Sequence, residues 1–328
     1  MSIEKTKKKL NVYGCGGTGT NIIASLTLSD EAIGLPLTAY STIDTSRSNF
    51  HEHKIHQGET YILPGLDGSG KDKSIAYKNA VDKIDDILLQ MPPGDFNIVV
   101  FSGSGGSGSV IGPLIVEELL KRDQLVFVIL VVSTESLKES LNSYGTIGTL
   151  SNIASKIVKK PILCSFHDNA RSSKLDVNAR IANEIKALAI LSSGFNLELD
   201  KKDIGNFCNY NKVTAIGPQL VDLTILTTDS DNTPSEEINW SVISTISLLR
   251  NASVPELSVG QLYSSVGYLP ISAQHSITSQ MANTFYITSN EFMSSRVLEI
   301  QERISDLRHE EQRIMEIKSP IFDDGYML

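Results

Sequence analysis

Cysteine is scarce in this chain of 328 residues: Cys15, Cys164 and Cys208 are the whole complement. An odd number of scattered thiols builds no disulfide framework, and none has the spacing of a metal site. Apolar runs long enough to cross a bilayer are missing, so no membrane partner is expected. The start of the chain is basic at Lys5, Lys7, Lys8 and Lys9, but no apolar stretch follows, which argues against a secretory leader. That run reads as a solvated arm. Basic charge is in deficit overall, with 29 Lys and Arg against 38 Asp and Glu, a net −9. This balance argues against a dedicated binder of the phosphate backbone, and no sequence-specific nucleic-acid contact is expected. A reducing, cytoplasmic compartment is the default that follows. There is no GxxxxGK[ST] stretch, which excludes a P-loop nucleotidase, and neither internal repeats nor low-complexity tracts occur.

What is present is an ordinary globular composition, 41% hydrophobic and 20% charged, long enough for two domains or one large one. Short apolar runs at residues 10–13, 37–43, 96–102, 125–132 and 161–165 read as strands. FNIVVFS and LVFVILVV are nearly continuous, as suits strands buried on both faces. Helical patterns at 21–28, 74–89, 109–122 and 137–158 separate them. Strand and helix in alternation predict an α/β fold: a parallel-sheet nucleotide-binding domain over residues 1–175. Val177, Ile181, Ile185, Leu188 and Leu191 then recur at helical spacing, predicting a central connecting helix over 176–194 that stops at Ser192-Ser193-Gly194. A smaller α/β C-terminal domain is expected over 195–289, with strands at 220–226, 263–271 and 284–288 and a helix at 236–249. Residues 290–328 read as a long C-terminal helix and tail. Its stripe of Met293, Val297, Ile300, Ile304, Leu307 and Ile314 suits a surface helix packed on its own protein. The tail carries Ile321, Phe322 and Tyr326, apolar side chains that suggest docking.

Chemistry concentrates in three places. Gly14-Cys15-Gly16-Gly17-Thr18-Gly19 lies between a strand and a helix, where glycines let backbone N–H groups approach phosphate oxygens. Cys15 has no neighbouring His in sequence and reads as a small filler, not a nucleophile. Alone, this loop with Asp44 also fits the dinucleotide turn of an NAD-dependent oxidoreductase. A second loop, Gly103-Ser104-Gly105-Gly106-Ser107-Gly108-Ser109, follows another strand and opens another helix. A dinucleotide fold needs one such loop; two on one sheet point to a shared polyphosphate. The third place is Asp200 and Asp203, which polarise a water or help hold a cation, or else cap a helix.

Together these places resemble the tubulin/FtsZ superfamily, and within it the phage-encoded tubulins of the PhuZ type. SGGSGSV at residues 104–110 resembles the GGGTGTG signature loop, departing at Ser104 and Val110. GSGSV before IGPLI resembles the phage form. Ser104 is tolerated in place of glycine if its φ stays negative. The resemblance implies GTP or GDP with Mg²⁺ as the ligands. It places Gly14, Cys15, Gly16, Gly17 and Thr18 in the first phosphate loop, Asp44 in the second, and Gly68, Ser69, Gly70 and Lys71 in the third. Gly103 through Ser109 form the signature loop. Glu135 belongs to the ribose loop, with Glu139 and Asn142 as alternatives; Asn169 matches the family Asn after the sixth strand, and Asn178 the residue that reads the guanine edge. Asp200 and Asp203 match the acidic loop that acts on the nucleotide of the next subunit. The implied protein is a GTPase that polymerises head to tail, hydrolyses GTP at the subunit interface and positions phage DNA in an infected bacterium. Cell-division and plasmid-partition tubulin homologues are the alternatives within the superfamily.

Overall fold

The structure is a computed structural model that describes residues 10–28, 38–49, 59–170, 172–194, 198–228, 241–249, 262–268 and 282–316. The Lys5–Lys9 run, Leu37 and the tail residues Ile321, Phe322 and Tyr326 lie outside the described residues. Side chains of the central strands alternate between two buried faces. In β4 (Phe96–Ser102), Ile98 and Val100 join one core while Val99 and Phe101 join the other. In β5 (Leu125–Val132), Phe127 and Ile129 oppose Val128 and Leu130 in the same way. Apolar residues on both sides are what a parallel strand between two helical layers requires.

β1 (Leu10–Cys15), β2 (Thr38–Asp44), β3 (Glu59–Ile62), β4, β5 and β6 (Ile162–Asp168) form the parallel part. β7 (Leu220–Thr228) continues it beside β6, pairing Ile162 with Leu220. β10 (Ala282–Thr288) runs antiparallel to β7 and to β8 (Val242–Leu249), and β9 (Tyr263–Tyr268) closes the edge parallel to β8. The result is one ten-stranded sheet in the order β3-β2-β1-β4-β5-β6-β7-β10-β8-β9.

One face carries α1 (Gly16–Leu28), α6 (Lys174–Ser193) and α7 (Lys201–Cys208), through Ile22, Ile181, Ile185 and Phe207. The other carries α2 (Lys73–Ala80), α3 (Ile84–Gln90), α4 (Gly108–Lys121), α5 (Leu137–Asn152) and α8 (Asn290–Glu316), through Ala76, Ile87, Ile115, Leu150 and Ile300. α6 is the connecting helix. It starts at Ser173, whose hydroxyl accepts from the Asp176 N–H, and ends at Gly194 with φ of 74°. Its 20 residues span about 30 Å at 1.5 Å per residue.

Four expectations need correction or refinement. Where a helix is expected at 236–249, the described part, Val242–Leu249, is strand β8. Its stripe of Val242, Ile243, Ile246 and Leu249 imitates helical spacing, but every residue of the strand is buried, and β-branched residues favour extended backbone. The helix expected at 74–89 is two helices joined by a tight turn at Val81–Lys83. The one expected at 137–158 ends in a wider π turn at Ile153–Ile157. In α8, Met293, Ile300 and Ile304 are buried, whereas Ile314 and Met315 are exposed, so only the first part of the stripe packs on the protein.

Candidate functional site

Strands β1, β2, β4, β5 and β6 end on the same side of the sheet, and their following loops surround a polar cavity of about 510 Å³. That volume lies within the range of small-molecule sites. The floor is made where the two glycine loops touch. Gly16 has φ of 70°, and a Cβ there would sit 2.6 Å from the Gly108 nitrogen. No side chain fits such a contact, so the pocket's backbone is bare at its centre. α1 begins at Gly16 and α4 at Gly108, so two helix N-termini face the cavity, as favours an anion. Gly106 is equally constrained from the third loop: a Cβ would meet Ser69 Oγ at 2.0 Å and Lys71 Cα at 2.9 Å.

Cys15, Gly16, Gly17, Thr18, Asp44, Gly68, Ser69, Lys71, Ser104, Gly105, Gly106, Ser107, Gly108, Glu135, Asn169 and Asn178 all line the cavity. Gly14, Gly70, Gly103 and Ser109 do not; they shape the loops that carry the others. Ser109 turns its hydroxyl to the Gly105 and Gly106 carbonyls, and the Gly103 N–H donates to the Val131 carbonyl. Ser104 has no positive φ, so its β-carbon costs nothing in place of glycine. The Cys15 thiol is buried, and burial raises its pKa, with the Asp44 charge adding to the effect. All three cysteines are free and buried. Of the two alternatives beside Glu135, Glu139 lines the cavity while Asn142 turns its amide to the Lys71 and Ser104 carbonyls.

Sequence reasoning missed Asn21, Ser46, Ser48, Asp67, Ser102, Ser133 and Lys174, which also line the cavity. Lys174 was legible in principle, since it lies one helical turn before Asn178. Asp67 was not, because a polar loop residue has no periodic signal.

Hydroxyls knit the loops together. Thr45 Oγ1 and Ser107 Oγ lie 2.6 Å apart, Ser107 donates to Ser69 Oγ at 3.2 Å, and Ser46 donates to Asp67 at 2.7 Å. Asp44 accepts from the Thr45 N–H at 2.6 Å. The lining carries Asp44, Asp67, Glu135 and Glu139 against Lys71 and Lys174. Lys71 Nζ is 2.7 Å from Glu139 Oε1. Burial works to raise the Glu139 carboxyl, but Lys71, with Ser136 and Ser133, holds it below its ordinary value.

Asp200 and Asp203 are elsewhere. Asp200 is the N-cap of α7 and accepts from the N–H groups of Lys202 and Asp203, while Asp203 accepts from the Asp200 N–H at 3.0 Å. This reciprocal capping box uses one oxygen of each carboxylate. The other oxygen of Asp203 accepts from the Tyr263 hydroxyl at 3.5 Å. The two backbone donors, Asp203 first, hold the Asp200 carboxyl below its usual value. The next residue fixes the location: Lys201 Nζ is 3.2 Å from Asp95, immediately before β4, whereas Ser102 at the far end of β4 lines the cavity. Seven residues of strand span about 23 Å, so the acidic pair and the pocket lie at opposite edges of the sheet.

A large, mostly parallel sheet with a glycine-built polar pocket at one edge, and a long helix leading from it toward the antiparallel strands, matches the architecture of tubulin-like proteins. Residues 199–290 match the family of the phage tubulin-like protein C-terminal domain. The phage tubulin-like protein of Pseudomonas phage PhiPA3 is 35% identical over 225 residues, 67% of each chain. Among solved structures, the protofilament of TubZ from bacteriophage PhiKZ superimposes with a TM-score of 0.82 at 26% identity, covering 97% of this chain and 96% of that one. The phage tubulin PhuZ bound to GDP gives 0.83 at 25% identity, covering 96% of each. The chain belongs to the phage tubulin-like proteins.

Proposed function

We propose that this chain is a GTPase that binds GTP in the cavity, assembles head to tail and cleaves the nucleotide where two subunits meet. The observation that carries the reading is the separation just described. A glycine-built cradle lined by Asp44, Asp67, Glu135 and Glu139 stands at one edge of the sheet, and the capped pair Asp200 and Asp203 stands at the other. Two complementary half-sites at opposite ends make a heterologous contact, which repeats into a polar filament. In support, a structural relative is a protofilament and another is a GDP complex.

In this reading, Asn169 and Asn178 meet the guanine edge, where a carboxamide matches both a donor and an acceptor. Glu135 or Glu139 accepts from the ribose. Backbone N–H groups of Gly16–Thr18 and Ser104–Gly108 receive the phosphates and stabilise charge developing there. Asp200 and Asp203 of the adjoining subunit orient the attacking water, Asp200 with the oxygen left outside its capping box and Asp203 with the oxygen that also accepts from the Tyr263 hydroxyl at 3.5 Å. Mg²⁺ fits this site: Asp44, Asp67 and the Thr45 and Ser107 hydroxyls are hard oxygen donors. No group of three or more His, Cys, Asp or Glu residues placed to hold a metal exists among the described residues. Such a site suits an ion held largely by phosphates and water, and when bound it neutralises phosphate charge.

Relatives encoded by phages support a role inside the infected bacterium, in the host cytoplasm, where filaments position phage DNA. No helix among the described residues is long and apolar enough to cross a membrane. We assign the tail from Ile321 to Leu328 to docking on a neighbouring subunit. The test of the central claim is specific activity against protein concentration. Phosphate release per subunit rises steeply as concentration passes the assembly threshold; a constant rate down to the isolated monomer refutes it.

A further inference from the structure

One face of α5 has a regular use that the nucleotide reading does not absorb. Glu139, Asn142, Ser143 and Thr146 follow one another at helical spacing, and all bond to pocket loops. Asn142 touches two loops at once. Its amide donates to the Lys71 carbonyl of the third loop at 3.2 Å and to the Ser104 carbonyl of the signature loop at 3.0 Å. Lys73 closes the arrangement: its ammonium donates to the Asn142 carbonyl and to Thr146 Oγ1, both at 2.7 Å. Thr146 Oγ1 lies 2.9 Å from the Gly103 carbonyl. Lys73 is half-buried and spends its charge on these oxygens, not on a carboxylate. Such a placement is costly unless the hydrogen bonds it makes are needed.

We propose that Asn142, backed by Lys73 and Thr146, is a positioning residue that locks the third loop in register with the signature loop, and so sets the preference for a nucleoside triphosphate over the diphosphate. The inference rests on the nucleotide reading above. In the nucleotide reading, the terminal phosphate lies where the third and signature loops meet, the seam that Asn142 spans. A Cβ on Gly106 would stand 2.0 Å from Ser69 Oγ and 2.9 Å from Lys71 Cα, so the two loops pack closely across that seam. A latch that fixes the seam before ligand arrives removes an ordering cost from triphosphate binding and leaves the diphosphate unaffected.

The test is equilibrium titration of fluorescent GTP and GDP analogues into the purified full chain at a concentration below assembly. Asn142→Asp keeps the shape and removes the amide donor, and it lowers the GTP-to-GDP affinity ratio about tenfold through the triphosphate arm. Asn142→Gln, which retains the carboxamide, recovers part of the loss, and Leu141→Ala on the exposed side of the same helix has no effect. Lys73→Met is the second variant, should Asn142→Asp fail to fold, and it shifts the ratio in the same direction. Wild-type protein that binds both analogues, with variants whose ratio is unchanged, overturns the latch alone. Wild-type protein that binds neither overturns the nucleotide reading and the latch with it.

Discussion

The two edges of the sheet are built by opposite means. The pocket edge is built from backbone: glycines at Gly16, Gly106 and Gly108 bring three loops into contact, and short hydroxyl side chains hold them. The other edge presents two carboxylates fixed to the start of a helix of eight residues. The first edge turns two helix N-termini to an anion, and its carboxylates Asp44, Asp67 and Glu139 are bonded to the Thr45 N–H, the Ser46 hydroxyl and Lys71. The second has an acidic pair at the start of α7, whose first N–H groups the carboxylates themselves occupy. The capping box engages one oxygen of each carboxylate, and the Tyr263 hydroxyl donates to the other oxygen of Asp203.

The comparison is broken most directly by separating the two edges. Asp203→Ala lowers GTP turnover at least about hundredfold while leaving affinity for a fluorescent GTP analogue within twofold, because the acid is remote from the cradle. Mixing this variant with one crippled in the pocket then restores part of the turnover, since some junctions join an intact cradle to an intact acid. Phosphate release measured on the mixture decides the matter. A mixture no more active than its components contradicts a shared site.

The pocket edge is tested by Gly106→Ala. The added Cβ would stand 2.0 Å from Ser69 Oγ and 2.9 Å from Lys71 Cα. Ser69 can rotate away but the backbone of Lys71 must shift, so the third loop is displaced. Affinity for the GTP analogue falls about tenfold, with a smaller loss for the GDP analogue. Equal affinities in wild type and variant would show that this seam does not bear on the terminal phosphate.

What the sequence disclosed follows the same division. The pocket edge was legible because its glycine loops sit between buried strands and helices, a pattern with few other uses. The identity of several lining groups was not: Ser46, Ser48 and Asp67 belong to loops, whose paths depend on tertiary contacts that no local period reports. Asp200 and Asp203 were visible as a pair whose spacing also fits a helix cap, and the structure gives them that capping geometry. α7 itself was not foreseen as a separate element, and a helix so short carries little periodic signal. β8 misled for the converse reason, since a strand buried on both faces imitates the stripe of a helix when its apolar residues fall a turn apart.

The two edges also respond to pH in opposite ranges. At the pocket edge, burial depresses the Lys73 ammonium to about 8 from 10.5. Between those values the unfolded chain holds more protons than the folded one, so stability rises with pH. Thermal melts of wild type and Lys73→Met from pH 7 to 10.5 isolate the effect: wild type gains relative to the variant across this window. A constant difference would mean that Lys73 titrates as an ordinary surface lysine.

The smallest effect belongs to the acidic edge. The Asp200 carboxyl is held below 3.8 by the N–H groups at the start of α7, chiefly that of Asp203 and then that of Lys202. A depressed carboxyl contributes stability that is fully present above its unfolded value and is lost as pH falls through its folded value. Asp200→Ala therefore melts slightly below wild type at neutral pH, and the gap narrows as pH falls below 3.8. Because the residue is exposed, added salt weakens the helix-dipole part of this gap but not the hydrogen bonds. Melts at low and high ionic strength thus separate the two contributions. A gap that vanishes in salt at neutral pH would show that the capping box contributes nothing beyond charge, and the acidic edge would then lack the fixed geometry that the comparison with the pocket assigns to it.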